Sequence, residues 1–228
     1  MFKNMTFIST IRLAFKELGA RSLIQTVRFN VHYFGRKLGL QLPVFVYNNV
    51  YFKQRLGNVE LQSFETGNVK IGKCIIGVYN KENTEIQFND GCSVYFGRNV
   101  TIGSGCKISV QGQMQIFDNV CITGKSMIVC SKNIEIGANS LISWNVQIMD
   151  TDLHKLFIEG TRTNYNRPVL VGENVWINSG CIILKGTTIA NNSVVGANSL
   201  LNKKYEAPNC LIIGNPAQCV RQNIKWER

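Results

Sequence analysis

The stretch Val171–Leu201, VGENVWINSGCIILKGTTIANNSVVGANSLL, places an aliphatic residue at every sixth position: Val171, Ile177, Ile183, Ile189, Val195 and Leu201. A small residue follows four places after several of them, as Cys181, Thr187, Ser193 and Ser199. A period of six matches neither the helical repeat of about 3.6 nor the strand repeat of 2 alone. It matches a coiled sheet in which each unit is a short strand and a corner, with one aliphatic side chain pointing inward per unit.

The same phase runs upstream through Phe96, Ile102 and Ile108, then Ile116, Ile122 and Ile128, then Ile136, Ile142 and Ile148. Three units make one turn of the coil. Phe96, Ile116 and Ile136 are 20 apart whereas Val171 and Ile189 are 18 apart, so the earlier turns carry two extra residues at a corner. Corners need residues that tolerate positive φ, and Gly103, Gly105, Asn119, Gly124, Asn139, Asn191, Asn192 and Asn198 supply them. The repeats run from about Val69 to Leu201. Before residue 96 the phase is hard to hold, although Ile71-Gly72 begins another candidate turn.

Residues 6–36 read as helical. Ser9 and Thr10 are candidate caps for a segment carrying Ile11, Ala14, Phe15 and Leu18 that stops at Gly19, and Ser22 for a second carrying Leu23, Val27 and Val31. The expected organisation is all-β: a helical and extended segment over 1–60, a β-helix over 61–205 with an inserted loop at 149–170, and a tail with a short helix over 206–228.

With 45% hydrophobic residues and four prolines in 228 residues, the chain can bury a sizeable core, which argues against disorder. No run of about 18 apolar residues offers a membrane span, and no cleavage site marks a signal peptide. Eight cysteines raise the question of a disulfide framework. Cys106 and Cys181 occupy the small-residue slot, Cys74, Cys92, Cys121 and Cys130 are scattered through the repeats, and no Cys-x-x-Cys pair occurs. Free, mostly buried thiols in a reducing cytoplasm are expected.

The net charge is +11, with Lys3, Arg12, Lys16, Arg21, Arg28, Arg36, Lys37, Lys53 and Arg55 all before residue 60. Aromatic and basic residues are not interleaved as nucleic-acid binding requires, so no nucleic-acid partner is expected. An anionic small molecule, proximity to an anionic membrane surface, or a plain solvated basic face all fit.

The repeat breaks once, between Ile148 and Val171, where about 15 to 17 residues exceed what the coil requires; long insertions on regular scaffolds are where function concentrates. This insertion holds His154, one of only two histidines. The other, His32, lies on an amphipathic stretch and reads as a packing or surface residue.

Four segments, Val175-Trp176-Ile177-Asn178-Ser179-Gly180, Ile183-Leu184-Lys185-Gly186-Thr187-Thr188-Ile189, Val195-Gly196-Ala197-Asn198-Ser199 and Ile213-Gly214-Asn215-Pro216-Ala217, resemble the C-terminal signature of hexapeptide-repeat acyltransferases. The likeness is to the galactoside and maltose O-acetyltransferase group and its polysaccharide O-acetyltransferase relatives, and spans roughly residues 96–221. It implies a left-handed parallel β-helix, acetyl-CoA as donor, a carbohydrate acceptor, and a homotrimer with active sites between subunits.

Acetyl transfer to a sugar hydroxyl needs that hydroxyl deprotonated as it attacks, and imidazole titrates near the working pH. His154 is the candidate general base and matches the family's catalytic histidine. Asp152 or Asp150 is a candidate to orient it, with simple loop hydrogen bonding as the alternative. The resemblance assigns thioester and oxyanion contacts to the Asn178-Ser179 turn, and pantetheine contacts to Ser179 and Ala197. It assigns the phosphate end of the cofactor to Lys203, with Lys204 beside it, and Arg221. Trp176 is a candidate wall of the acceptor cleft. Thr123 stands where galactoside relatives carry an acceptor-binding asparagine, and Asn202 replaces a more usual threonine.

Three other functions compete with this one. N-acetylation of an amino sugar or nucleotide sugar would use the same base. A zinc hydratase would need about three histidine ligands, so no metal site is expected. A non-catalytic scaffold would have no use for His154, Trp176 and Lys203 together. Covalent catalysis through a cysteine is not needed.

Overall fold

The computed structural model describes residues 7–77 and 82–228; Lys3 lies outside them. The chain winds as a parallel β-helix of triangular section, its strands stacked on three faces. Each turn passes through face A, face B and face C in order. The register stacks the sixfold residues in columns: Ile102, Ile122, Ile142, Ile177, Val195 and Ile212 on face A, Ile108, Ile128, Ile148, Ile183 and Leu201 on face B, and Phe96, Ile116, Ile136, Val171 and Ile189 on face C. All are buried, and the small residues Cys181, Thr187, Ser193 and Ser199 are fully enclosed beneath the corners.

The coil begins earlier than 61. Val44–Val46 already pairs with Val69–Lys73 on face A, Val50–Arg55 pairs with Thr84–Phe88 on face B, and Asn58–Leu61 pairs with Ser93–Phe96 on face C. Long, irregular corners displace the sixfold phase there, which hid these turns in the sequence. Positive φ falls at Gly105, Asn119, Asn139, Asn192 and Asn198 as expected, but not at Gly103, Gly124 or Asn191. Gly103 serves a different need: a Cβ there would lie 2.0 Å from the Thr123 carbonyl oxygen of the next turn. The asparagines of the face C to face A corner also join across turns, Asn99 to Asn119 to Asn139 and Asn174 to Asn192, by side-chain amide bonds of 3.0–3.2 Å.

The helix Phe7–Gly39 covers the open N-terminal edge of face A. Gly19 breaks it, as the sequence indicated, and Gly35 breaks it again. Ser9 and Thr10 lie inside the helix rather than capping it. Asn30 takes the place of a strand partner: its side-chain amide donates to Val44 O (2.6 Å) and its oxygen accepts from Val44 N (3.0 Å), while Thr26 Oγ1 accepts from Val46 N (2.9 Å). The last strand of face A, Leu211–Gly214, is closed by an antiparallel strand, Ala217–Arg221. Both open edges of face A are thus covered, which removes two edges that would otherwise template aggregation.

Two expectations are corrected here. Residues 206–228 contain no helix; after the hairpin the tail runs back along the asparagine corner, with Trp226 Nε1 donating to Asn174 O (2.8 Å) and Arg228 to Asn119 O (2.9 Å). Cys210 and Cys219 form a disulfide across the terminal hairpin, so the reading of free thiols holds only for the other six. His32 bonds Arg55 O through Nε2 (2.8 Å) and sits edge-on to Tyr33, a packing role.

Candidate active site

The insertion leaves the coil after the face B strand Gln147–Met149 and returns at the face C strand Val169–Val171. Asp150 fixes its base. Buried completely, its carboxylate accepts from the backbone N–H groups of Ser131, Lys132 and Asn133 at 2.7 Å each. Its carbonyl accepts from Arg167 N at 3.1 Å, closing the neck. Three short N–H bonds engage both oxygens of this enclosed carboxylate, so Asp150 holds the loop neck, and among the described residues no bond joins it to the His154 ring.

Asp152 lies further out. Its Oδ2 accepts from Lys185 Nζ and from Asn164 Nδ2 (3.0 Å), and Asn164 Nδ2 also donates to the carbonyl of His154 (2.8 Å). The Lys185 bond, seconded by Asn164, holds the Asp152 carboxyl below the usual carboxylate range. Asp152 therefore ties the histidine's backbone to the coil rather than bonding the ring: among the described residues the imidazole has no hydrogen-bond partner, and His154 is exposed. Leu153 beside it has φ 62°, a left-handed conformation that is costly for leucine and of the kind that gathers at functional sites. Beyond it, Phe157–Ile158 and Thr161–Arg162 form a small antiparallel ribbon.

The second constellation lies on the corner between faces A and B. Extending the register Ile142–Ile177–Val195 by two residues stacks Trp144, Ser179 and Ala197 in one column. Among the described residues the backbone N–H groups of Ser179 and Ala197 have no acceptor, unlike the neighbouring amides of Asn178 and Asn198, which donate to Val195 O and Ser179 O at 3.0 Å. Two open amides about 4.8 Å apart, one turn above the other, form a ladder edge suited to the amides of an extended ligand. Within the Asn178-Ser179 turn, the open donor is on Ser179. Asn178 spends both its backbone N–H and its Nδ2 on Val195 O, whereas Ser179 N–H is available.

Thr123 falls in the Asn178 column two turns earlier, and its hydroxyl is buried without a protein partner among the described residues. Trp176 is half-buried against the coil: Nε1 donates to Ser143 Oγ (3.2 Å) and the ring lies 5.7 Å from Trp226. Lys203 and Lys204 line a cavity of about 270 Å³ beyond the last complete turn, where Lys203 bonds Gln218 (2.9 Å) and Lys204 lies 3.9 Å from Glu206. Arg221 is exposed at the end of the terminal hairpin and does not line that cavity. Burial raises the Cys106 and Cys130 thiols to about 12, which leaves no thiolate there for a covalent route. Among the described residues no cluster of histidine, cysteine, aspartate and glutamate could hold a metal.

The two constellations do not meet within one chain. They occupy opposite edges of face B, Ser179 before and Lys185 after the strand Ile182–Ile183, a chain span of at most roughly 20 Å at about 3.3 Å per residue.

A model of the bacterial transferase hexapeptide family (six repeats) matches residues 168–203. The chain is also 33% identical over 157 residues to the putative lipopolysaccharide biosynthesis O-acetyl transferase WbbJ of Escherichia coli K12, covering 61% of this chain and 79% of that protein. The chain belongs to the bacterial hexapeptide transferase family. It is an acyltransferase with the family's left-handed β-helix. Among solved structures, the polysialic acid O-acetyltransferase OatWY superposes with a TM-score of 0.50 at 26% identity, covering 79% of this chain and 88% of that one. The polysialic acid acetyltransferase NeuO shares the fold, with a TM-score of 0.62 at 22% identity over 78% and 72% of the two chains.

Sequence reasoning about this hexapeptide transferase missed Lys185 and Asn164 as the anchors of the histidine loop, and Trp144, 43% exposed, at the head of the open-amide column. Trp144 was findable: it stands two residues after the inward Ile142, the place that Ser179 and Ala197 hold after Ile177 and Val195.

Proposed function

We propose that this acyltransferase moves an acetyl group from acetyl-CoA to a hydroxyl of a surface polysaccharide or its precursor, by direct transfer with His154 as general base. The observation that carries this reading is that the only histidine of the coil region sits on its one long excursion, its backbone tethered while its imidazole is left open. The likeness to WbbJ supports a bacterial glycan as acceptor class.

In the proposed reaction the acceptor hydroxyl attacks the thioester carbon while the imidazole takes its proton. The Ser179 N–H stabilises the oxyanion, the pantetheine arm runs up the column past Ser179 to pair with the Ala197 N–H, and Lys203, Lys204 and Arg221 serve the phosphates. Collapse of the tetrahedral intermediate breaks the C–S bond, and the imidazolium returns the proton to the leaving thiolate. Because the imidazole and the open amides lie at opposite edges of face B, a second copy of the chain would complete each site, in keeping with a homotrimer. The exposed loop side chains Leu153, Leu156, Phe157 and Ile158 are an apolar surface that such a neighbour would cover.

The test is an acceptor screen that follows thiol release from acetyl-CoA, intact glycans included, on wild type and His154→Ala. Transfer should fall about 10²–10⁴-fold in the variant while coenzyme A binding persists. Full activity of His154→Ala refutes the mechanism.

A further inference from the structure

The N-terminal helix carries a surface that the acyl transfer does not use. Its inner side is set by Thr10 and Ala14 before the Gly19 break and by Ser22, Thr26, Phe29 and Asn30 after it, all buried against the coil. Helical spacing then fixes the outer side. Ile8, Arg12, Phe15 and Lys16 form one outward stripe, and Arg21, Ile24 and Arg28, at i, i+3 and i+7, form the next.

The apolar members of these stripes are bulky and open to solvent: Ile8 is 63% exposed, Phe15 55% and Ile24 57%, with Phe7 and Leu13 also uncovered. The charges between them have one sign. Six basic side chains, Arg12, Lys16, Arg21, Arg28, Arg36 and Lys37, stand on this helix against a single acid, Glu17. Glu17 is turned toward the coil, where it accepts from Tyr47 Oη (2.8 Å) and pairs with Lys73 (3.4 Å). No helix among the described residues is long and apolar enough to cross a membrane.

Large aliphatic and aromatic groups interleaved with arginine and lysine, with no free acid among them, match a helix lying in the headgroup region of a bilayer. There the apolar groups enter the acyl boundary and the cations meet lipid phosphates. We infer that the outer face of this helix docks on an anionic phospholipid surface, holding the coil by its N-terminal end. Charge complementarity favours this occupant: a second copy of the chain would set six cations against six more.

The test is sedimentation of the full chain with vesicles of phosphatidylcholine alone and of phosphatidylcholine mixed with phosphatidylglycerol. Binding is expected on the anionic vesicles only, and should weaken as salt is raised. Each basic side chain at an anionic leaflet contributes about fivefold in affinity, so Arg21→Gln/Arg28→Gln should bind about 25-fold more weakly. Ile24→Ser/Phe15→Ser should weaken binding without altering its salt dependence. The control Lys107→Gln/Lys225→Gln removes the same charge from the coil and tail and should bind as wild type does. Equal binding to both vesicle types, or an equal loss in the control, overturns the inference. So does a change in sedimenting mass in the helix variants without lipid, which would assign the face to contact between copies.

Discussion

Asp150→Asn separates a loop clamp from a catalytic carboxylate. In the wild type, Oδ1 accepts from Ser131 N–H and Oδ2 from both Lys132 and Asn133 N–H, in a fully buried position. An asparagine can keep one oxygen on the Lys132–Asn133 pair, but its NH₂ then faces the Ser131 N–H, donor against donor. Hydrogen bonds to a charged acceptor contribute about 1.5–3 kcal/mol each, so losing one and weakening two should cost about 2–4 kcal/mol, with Asp150→Ala worse at about 4–6. For a chain of this size that corresponds to a fall in Tm of roughly 5–15 °C for the asparagine variant. Thermal melting followed by circular dichroism measures it, with acetyl transfer assayed well below both transitions. Per folded molecule, transfer should fall only several-fold, because Lys185 and Asn164 still hold the loop through Asp152. A variant that melts within about 2 °C of wild type yet loses a hundredfold or more in turnover would refute the clamp and return Asp150 to orienting the imidazole.

Three further outcomes follow from the same geometry. Gly103→Ala drives a Cβ to 2.0 Å from the Thr123 carbonyl oxygen, so the two turns must separate, and a loss of about 3 kcal/mol or more in urea unfolding is expected; a wild-type midpoint would contradict the close approach. Reducing the Cys210–Cys219 bond opens a loop of sequence separation 9 and should cost about 2–3 kcal/mol, whereas thiol titration of the denatured, unreduced chain should find six of eight cysteines free. Because Asp152 titrates below its unfolded value, its tether contributes stability above the unfolded carboxylate pKa and loses it as pH falls through the lower folded one. Hydrogen exchange at Leu156 and Thr163 should therefore stay slow down to the ordinary carboxylate range and accelerate below it, and Lys185→Met should raise the pH at which that happens.

What was legible in the sequence was whatever repeats. The inward columns of Ile177, Ile183 and Ile189 follow from spacing alone, because each inward side chain of a regular coil answers to the same geometry. The turns before residue 96 were not legible, since corners such as the run from Leu61 to Val69 add residues that no periodic template anticipates. Asn30 is a case of another kind: nothing local marks a helical asparagine as the hydrogen-bond partner of Val44, 14 residues on, because that need arises only when an open strand edge is brought beneath it. The disulfide was hidden likewise, by a hairpin whose register sets Cys219 opposite Ile212, beside Cys210.

The candidate site was legible as residues and not as positions, and the arithmetic of the coil explains why. Each turn visits two edges of face B within about six residues, so Ser179 and Lys185 are close in sequence yet belong to different corners. His154, 25 residues before Ser179, reaches only the corner of Lys185, because the salt link to Asp152 holds its loop there. A triad read along the chain would have put Asp150, Asp152 and His154 in one relay. Folded, the first carboxylate faces inward to three amides and the second faces the coil lysine, and the imidazole is left exposed, with no hydrogen-bond partner among the described residues. A rigid coil with one tethered excursion therefore presents the imidazole and the open amides on separate edges, and under the proposed function it is stacking of coils side by side, edge to edge across face B, that would bring such edges into register.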